Sequence, residues 1–461
     1  MKVDRREFLQ HGAGAAALAL GINAFAPHLL RQRLLASPET GGKKKLVYIF
    51  LRGGMDCLNA AVPRGDPNYS LAARPTLFLA PGETLRLDGG DPRSPIDERL
   101  RSFVELHPAF APAIEVYQAG HLAVLHRIGY QNHSQSHFDS QQYFENATTD
   151  QPNLQEGMLY RQAVSTFDLL QEHFVAFGLS DRQLVALKGR YALPNAHDVR
   201  SFRFHGDEKR TAKYVGQPPS DSGVAGRGLL GVYGGPIEEA NKPYRKELHH
   251  VGVTMAEVMR TLRELNPDSY TPANGAVYPA GDGVLQKAKQ AAMLLKRTPV
   301  RIVGMNIDGW DTHVNQGKLT GHYPALLGQV ASVIQALARD LRDQWNDVVV
   351  VVLSEFGRTS QENGSKGTDH GQAIAMLVAG GGVKGGVYNA PNIEAWTKDG
   401  GVFSTTGGRY LKHWTDYRAV FAEIFQRHFG DDAQTLNRVI PKHDALCAAS
   451  PGEYAKLGFL S

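Results

Sequence analysis

Unbroken apolar runs punctuate this chain, and each gives way abruptly to glycine and charge. Val348-Val349-Val350-Val351-Val352-Leu353 is β-branched without polar alternation, as expected of a parallel strand covered on both faces. It stops at Ser354-Glu355-Phe356-Gly357-Arg358-Thr359. Leu46-Val47-Tyr48-Ile49-Phe50-Leu51 is a second such run, opening onto Arg52-Gly53-Gly54-Met55-Asp56. A third, His121-Leu122-Ala123-Val124-Leu125-His126, precedes the polar stretch Gln131-Asn132-His133-Ser134-Gln135-Ser136-His137. The fourth, Val300 onward to Ile307, runs into Asp308-Gly309-Trp310-Asp311-Thr312-His313.

Helical periodicity fills the intervals. Leu326, Leu327, Val330, Val333, Ile334, Leu337 and Leu341 recur at three- and four-residue spacing, which is the apolar stripe of a core helix. Further helical patterns fall at 108–118, 159–173, 247–265 and 285–295, and 63–101 reads as an irregular Pro/Gly/Asp-rich excursion. Strands alternating with helices predict an α/β fold with a mostly parallel central sheet between helical layers. The segment 150–299 is the place for a helical cap. Right-handed crossovers would bring the carboxyl ends of all four runs to one edge, where open α/β sheets bind ligands.

Composition narrows the classes. With 461 residues, one large or two ordinary domains fit. A net charge of +4, without a basic run interleaved with aromatics, argues against nucleic acid as a partner. Cys57 and Cys447 are the only two cysteines, too few for a disulfide framework or a thiolate metal site, and read as small hydrophobes. At the amino end, Asp4-Arg5-Arg6-Glu7-Phe8-Leu9-Gln10 precedes a Gly/Ala-rich apolar run over 12–26. That is the layout of a twin-arginine signal peptide, assigned to 1–36. Pro27 disfavours cleavage after Ala26, and Ala36-Ser37 is the fairer site. The expectations are the twin-arginine translocase as an export partner, a periplasmic or secreted product, and no stable membrane span after cleavage.

The strand ends supply the candidate chemistry. Asp56 is either a ligand at a strand end or the cap of a Gly-Gly turn. Ser134 or Ser136 opens the next helix, as an ordinary N-cap or as a nucleophile whose transferred anion meets the helix N-terminus; His133 and His137 stand beside them. Asp311 and His313 project from one face in extended chain, so both reach one cation, or they belong to an exposed turn. Glu355 and Arg358 either serve the site or pair with each other. Asp369-His370, between Gly367 and Gly371, is an acid/base or ligand pair, or an Asx turn. Carboxylate and imidazole without thiolate suit a divalent metal: zinc, manganese, magnesium or calcium.

From 45 to about 445 the chain resembles the bacterial domain of unknown function 1501 family, within the alkaline phosphatase-like superfamily. The resemblance rests on Arg52-Gly53-Gly54-Met55-Asp56, Ser136-His137-Phe138, Gly309-Trp310-Asp311-Thr312-His313, Ser354-Glu355-Phe356-Gly357-Arg358-Thr359, Gly367-Thr368-Asp369-His370-Gly371, Gly381-Gly382-Val383-Lys384-Gly385-Gly386 and Thr415-Asp416-Tyr417-Arg418. It implies an α/β/α sandwich whose divalent metals activate a hydroxyl for phosphate or sulfate ester transfer. It further implies Asp56 as the first-strand metal carboxylate, Ser136 as the nucleophile, and Asp311, His313 and His370 on one metal. The departure is Glu355-Phe356, where the superfamily has Asp-His; a phenyl ring cannot ligate. The sulfatase signature is also absent around Ser136.

The expected function is an exported metal-dependent hydrolase of phosphate or sulfate esters. Its metal residues would come from Asp56, Asp311, His313, Glu355, Asp369 and His370, with Ser136, His137 and Arg358 catalytic and Arg358 or Lys384 offsetting the charge of an anionic ester. The alternative is a catalytically silent exported protein that keeps the fold to bind a polysaccharide or a protein partner.

Overall fold

The computed structural model describes residues 44–87, 103–151, 154–167, 174–190, 193–202, 258, 261–262, 265–389 and 409–461. The expected signal peptide at 1–36 lies outside these residues, as does nearly all of the helix expected at 247–265.

Each apolar run forms a strand: β1 (Lys45–Leu51), β4 (Leu122–Gly129), β7 (Ile302–Ile307) and β8 (Val348–Ser354). The short β5 (Ala176–Leu179), β6 (Asn195–Ala196), β10 (Gly386–Tyr388) and β11 (Thr415–Asp416), with β9 (Ile374–Gly380), complete one sheet of nine described strands, while β2 (Ala61–Val62) pairs with β3 (Glu105–Leu106). Its order is β10-β4-β9-β8-β1-β7-β5-β6, with β11 beside β4. In register, Leu51 meets Ile307 on one side and Ser354 on the other.

The helices are α1 (Cys57–Ala60), α2 (Ile114–Gln118), α3 (His137–Asn146), α4 (Met158–Thr166), α5 (Gly283–Arg297), α6 (His322–Asp340), α7 (Tyr417–Ile424), α8 (Ala433–Val439) and α9 (His443–Ala449). Val47, Ile49 and Leu51 share a core with α5 and α6, whereas Leu46, Tyr48 and Phe50 share one with α4 and α7. Helices therefore cover both sheet faces, which is why β1 carries no polar alternation. Each of its large apolar side chains, fully removed from water, contributes about 1.5–3 kcal/mol. No described helix is long and apolar enough to cross a membrane.

One strand runs against the rest. Among the described strands of the sheet, only β9 is antiparallel, to both β8 and β4, while every other pairing is parallel. Thus β1, β4, β7 and β8 end on one edge, and the 355–373 loop leaves β8 and enters β9 on that same edge. Reversing β9 is what returns Asp369 and His370 to the other three strand ends.

Two expectations change, and part of a third segment is placed. The helix read at 108–118 is a 3₁₀ segment, Pro108–Ala113, leading into α2, with Pro112 inside it withholding a backbone donor. The run ending at His126 continues as β4 to Gly129, across a register shift where Arg127 has φ 54°. Of the segment expected to cap the site, the described part adds β5 and β6 to the sheet, and α4 and α5 to its two faces.

Candidate functional site

The turns after β1 and β7 lie backbone against backbone. Gly53 has φ +124°, and a Cβ there would meet Asp311 N at 2.4 Å, so only glycine fits. The turn's amides face the end of β8: Gly53 N donates to Glu355 Oε1 at 2.8 Å and Gly54 N to Oε2 at 3.2 Å. Ser354 Oγ donates to Oε2 at 2.9 Å and Gln141 Nε2 to Oε1 at 2.8 Å. Burial pushes the Glu355 carboxyl up, but these donors and His137 outweigh it and hold the group below its ordinary value.

His137 is the first residue of α3, directly after the N-cap Ser136. Its Nδ1 lies 2.8 Å from Glu355 Oε1, and that hydrogen bond raises its pKa against the opposing effect of burial. Its ring rests on Phe356, centroids 4.8 Å apart, and meets His370 edge-on at 4.4 Å. Its Nε2 faces Asp311 Oδ2 at 3.5 Å and has no hydrogen-bond partner among the described residues.

Asp311, His313 and His370 meet beside it. Asp311 Oδ1 lies 3.1 Å from His313 Nε2 and 3.2 Å from His370 Nε2, and the two nitrogens are 3.0 Å apart. The other nitrogen of each ring faces an oxygen. His370 Nδ1 is 2.8 Å from the Gln135 carbonyl, which only accepts. His313 Nδ1 is 3.2 Å from Asp369 Oδ1, a carboxylate held below its ordinary pKa, first by the Asn363 amide at 2.9 Å. Assigned from these partners, both protons sit on Nδ1 and both Nε2 lone pairs point at each other and at Asp311. Burial keeps His370 below the usual imidazole range. Burial also opposes ionisation of Asp311, but a 2.6 Å hydrogen bond from Arg358 and its charge keep the carboxyl low.

These spacings fit one cation. Ligand atoms at 2.0–2.1 Å around a tetrahedral ion stand about 3.3 Å apart, close to the 3.0, 3.1 and 3.2 Å seen here. Asp311 is 48% exposed, so the cluster opens to solvent.

Other expected residues fall elsewhere or take other roles. Asp56 is fully buried and bound by Arg74, Nη1 to Oδ2 at 2.7 Å and Nη2 to Oδ1 at 3.0 Å, with Gln316 Nε2 on Oδ2 at 2.7 Å. A guanidinium thus occupies the carboxylate expected to hold metal. Glu355 orients His137 rather than joining the cluster, and Asp369 does the same for His313. Arg358 has a fully covered side chain and donates to the Gly53, Gly54, Trp310 and Thr368 carbonyls as well as to Asp311. It clamps the turns together and is not placed to receive a substrate anion. Lys384 follows β9, whose reversed direction carries it to the opposite sheet edge. Ser136 Oγ accepts from Asp139 N at a long 3.4 Å.

Sequence reasoning missed Arg74, Gln316, Gln141 and the Gln135 carbonyl. Arg74 lies in the irregular 63–101 stretch, where no periodicity marks an inward-facing side chain, yet it is wholly buried; the uncompensated charge of Asp56 is the one available signal.

No curated protein matches this chain. Over residues 246–438, a span that carries Asp311, His313, Glu355, Asp369 and His370, the chain matches the family described as protein of unknown function (DUF1501).

Proposed function

We propose that Asp311, His313 and His370 bind a divalent metal ion and that this is an exported hydrolase of phosphate or sulfate esters, built as an alkaline phosphatase-like sandwich. The observation that carries the reading is the meeting of two imidazole Nε2 atoms, 3.0 Å apart and each within 3.2 Å of the Asp311 carboxylate, an arrangement that a shared cation would hold together. When bound, such an ion supplies Lewis acidity toward an ester oxygen and an attacking hydroxyl.

The chain's own residues do the positioning. Asp369 and the Gln135 carbonyl fix the tautomers and ring orientations of His313 and His370, and Arg358 fixes Asp311. Ser136 follows Gln135 directly and caps α3, so its hydroxyl sits where a helix N-terminus favours the anionic group being transferred. Among the described residues, it is held by one long hydrogen bond, from Asp139 N at 3.4 Å.

The test is turnover of a generic aryl phosphate and aryl sulfate by metal-loaded protein. Ser136→Ala should abolish turnover while leaving metal content and melting temperature near wild type. If the serine is only a cap, the change costs about 1 kcal/mol of stability and spares activity. A second reading, an exported binding protein for a polysaccharide or protein partner, is favoured by the burial of Arg358 and by Phe356 at a ligand position. Metal-loaded wild type inactive on both ester classes would select it.

A further inference from the structure

We infer that His137 is an additional ligand of this ion and that the centre holds one ion, not two. The inference rests on the reading of Asp311, His313 and His370 as a divalent centre.

Three features converge on His137. Its Nε2 is a covered atom without a hydrogen-bond partner among the described residues, facing Asp311 Oδ2 at 3.5 Å. His137, Asp311 and His370 offer ligand atoms that all lie within 4.8 Å of one another. Its Nδ1 is 2.8 Å from Glu355 Oε1, the carboxylate–histidine arrangement that fixes a ligating ring with its free lone pair outward. Glu355 is therefore a positioning residue, held by the Gly53 and Gly54 amides, Ser354 and Gln141.

Among the described residues, Asp56 and Glu355, two of the carboxylates expected to hold metal, are already occupied. Asp56 already has the bidentate Arg74 guanidinium, which supplies the positive charge a second metal would bring. Glu355 already accepts from five groups. Phe356, where the family resemblance expects a ligand, packs tilted against His137 and His370, ring centroids 4.8 and 4.6 Å away. A second cation would have to displace a buried guanidinium and strip those donors. Three imidazoles and one carboxylate also narrow the metal: this set favours zinc or a neighbouring transition ion over magnesium and calcium, which take oxygen ligands.

The experiment is zinc titration by calorimetry of wild type and His137→Ala, with X-ray absorption of the zinc-loaded wild type to count imidazoles. The expected result is one zinc per chain, three imidazole scatterers, and affinity lowered by roughly 10–100-fold in Glu355→Gln, with a larger loss in His137→Ala. The absorption count needs no variant, so it decides the matter even if His137→Ala does not fold. Two imidazoles, or His137→Ala binding zinc as tightly as wild type, would overturn the role of His137 while leaving the metal reading intact. Two zinc ions per chain would overturn the single-ion centre. Wild type that binds no zinc would overturn the metal reading itself, and this inference with it.

Discussion

His313 Nε2 lies 3.0 Å from His370 Nε2, although each ring turns its other nitrogen toward an oxygen acceptor. With the proton of each ring assigned to Nδ1, the two Nε2 atoms face each other next to the Asp311 carboxylate. Their backbones hold them there: His313 follows β7, His370 precedes β9, and an isolated bridge joins Arg358 to His370 across the loop.

The Arg74–Asp56 pair separates a structural carboxylate from a ligand. Both side chains are fully buried, so Asp56→Asn leaves a guanidinium uncompensated and should cost roughly 3–5 kcal/mol of stability. Metal content of the folded fraction should stay at the wild-type level. Denaturant unfolding with elemental analysis checks both; loss of metal from folded Asp56→Asn would restore Asp56 to the ligand set.

Stability should fall in mild acid for reasons away from the site. Burial lowers His126 and His428 each to about 4, against an unfolded value of about 6.5. Between those values the unfolded chain binds more protons, so stability rises with pH across the window and is lost as pH falls from 6.5 toward 4. Each group contributes up to about 1.4 kcal/mol per pH unit. His428→Gln, which keeps a donor for the Lys45 carbonyl, should flatten the loss; an unchanged slope in urea unfolding at pH 5 and pH 7 would refute the assignment.

Export is tested at the amino end. Replacing Arg5 and Arg6 with lysine should strand the precursor in the cytoplasm, as read by fractionation. Normal periplasmic processing of that variant would contradict a twin-arginine route.

The four strand ends were legible because strands buried on both faces leave uninterrupted apolar runs, and parallel strands share an edge. The reversal of β9 was not, since Ile374–Gly380 reads as apolar in either direction. Carboxylates at the strand ends were also visible, but not their division of labour. Asp311 stays half exposed beside imidazoles, whereas Asp56 meets an arginine 18 residues on and Glu355 meets two amides of the turn that follows β1. Those partners come from irregular segments, where no periodicity marks which side chain turns inward. His137 stood out only as a histidine next to a helix cap; its link to Glu355 spans 218 residues.

The central claim is most directly tested by elemental analysis of wild-type protein purified without chelator, paired with melting curves before and after chelation. The expected result is close to one divalent transition ion per chain and a melting temperature that falls on chelation, with about 2.7 kcal/mol regained when free ion is restored to about a hundred times Kd. Asp311→Ala should carry no ion and show no response. Wild type that holds no divalent ion, and melts identically with and without chelator, would contradict a metal centre at Asp311, His313 and His370.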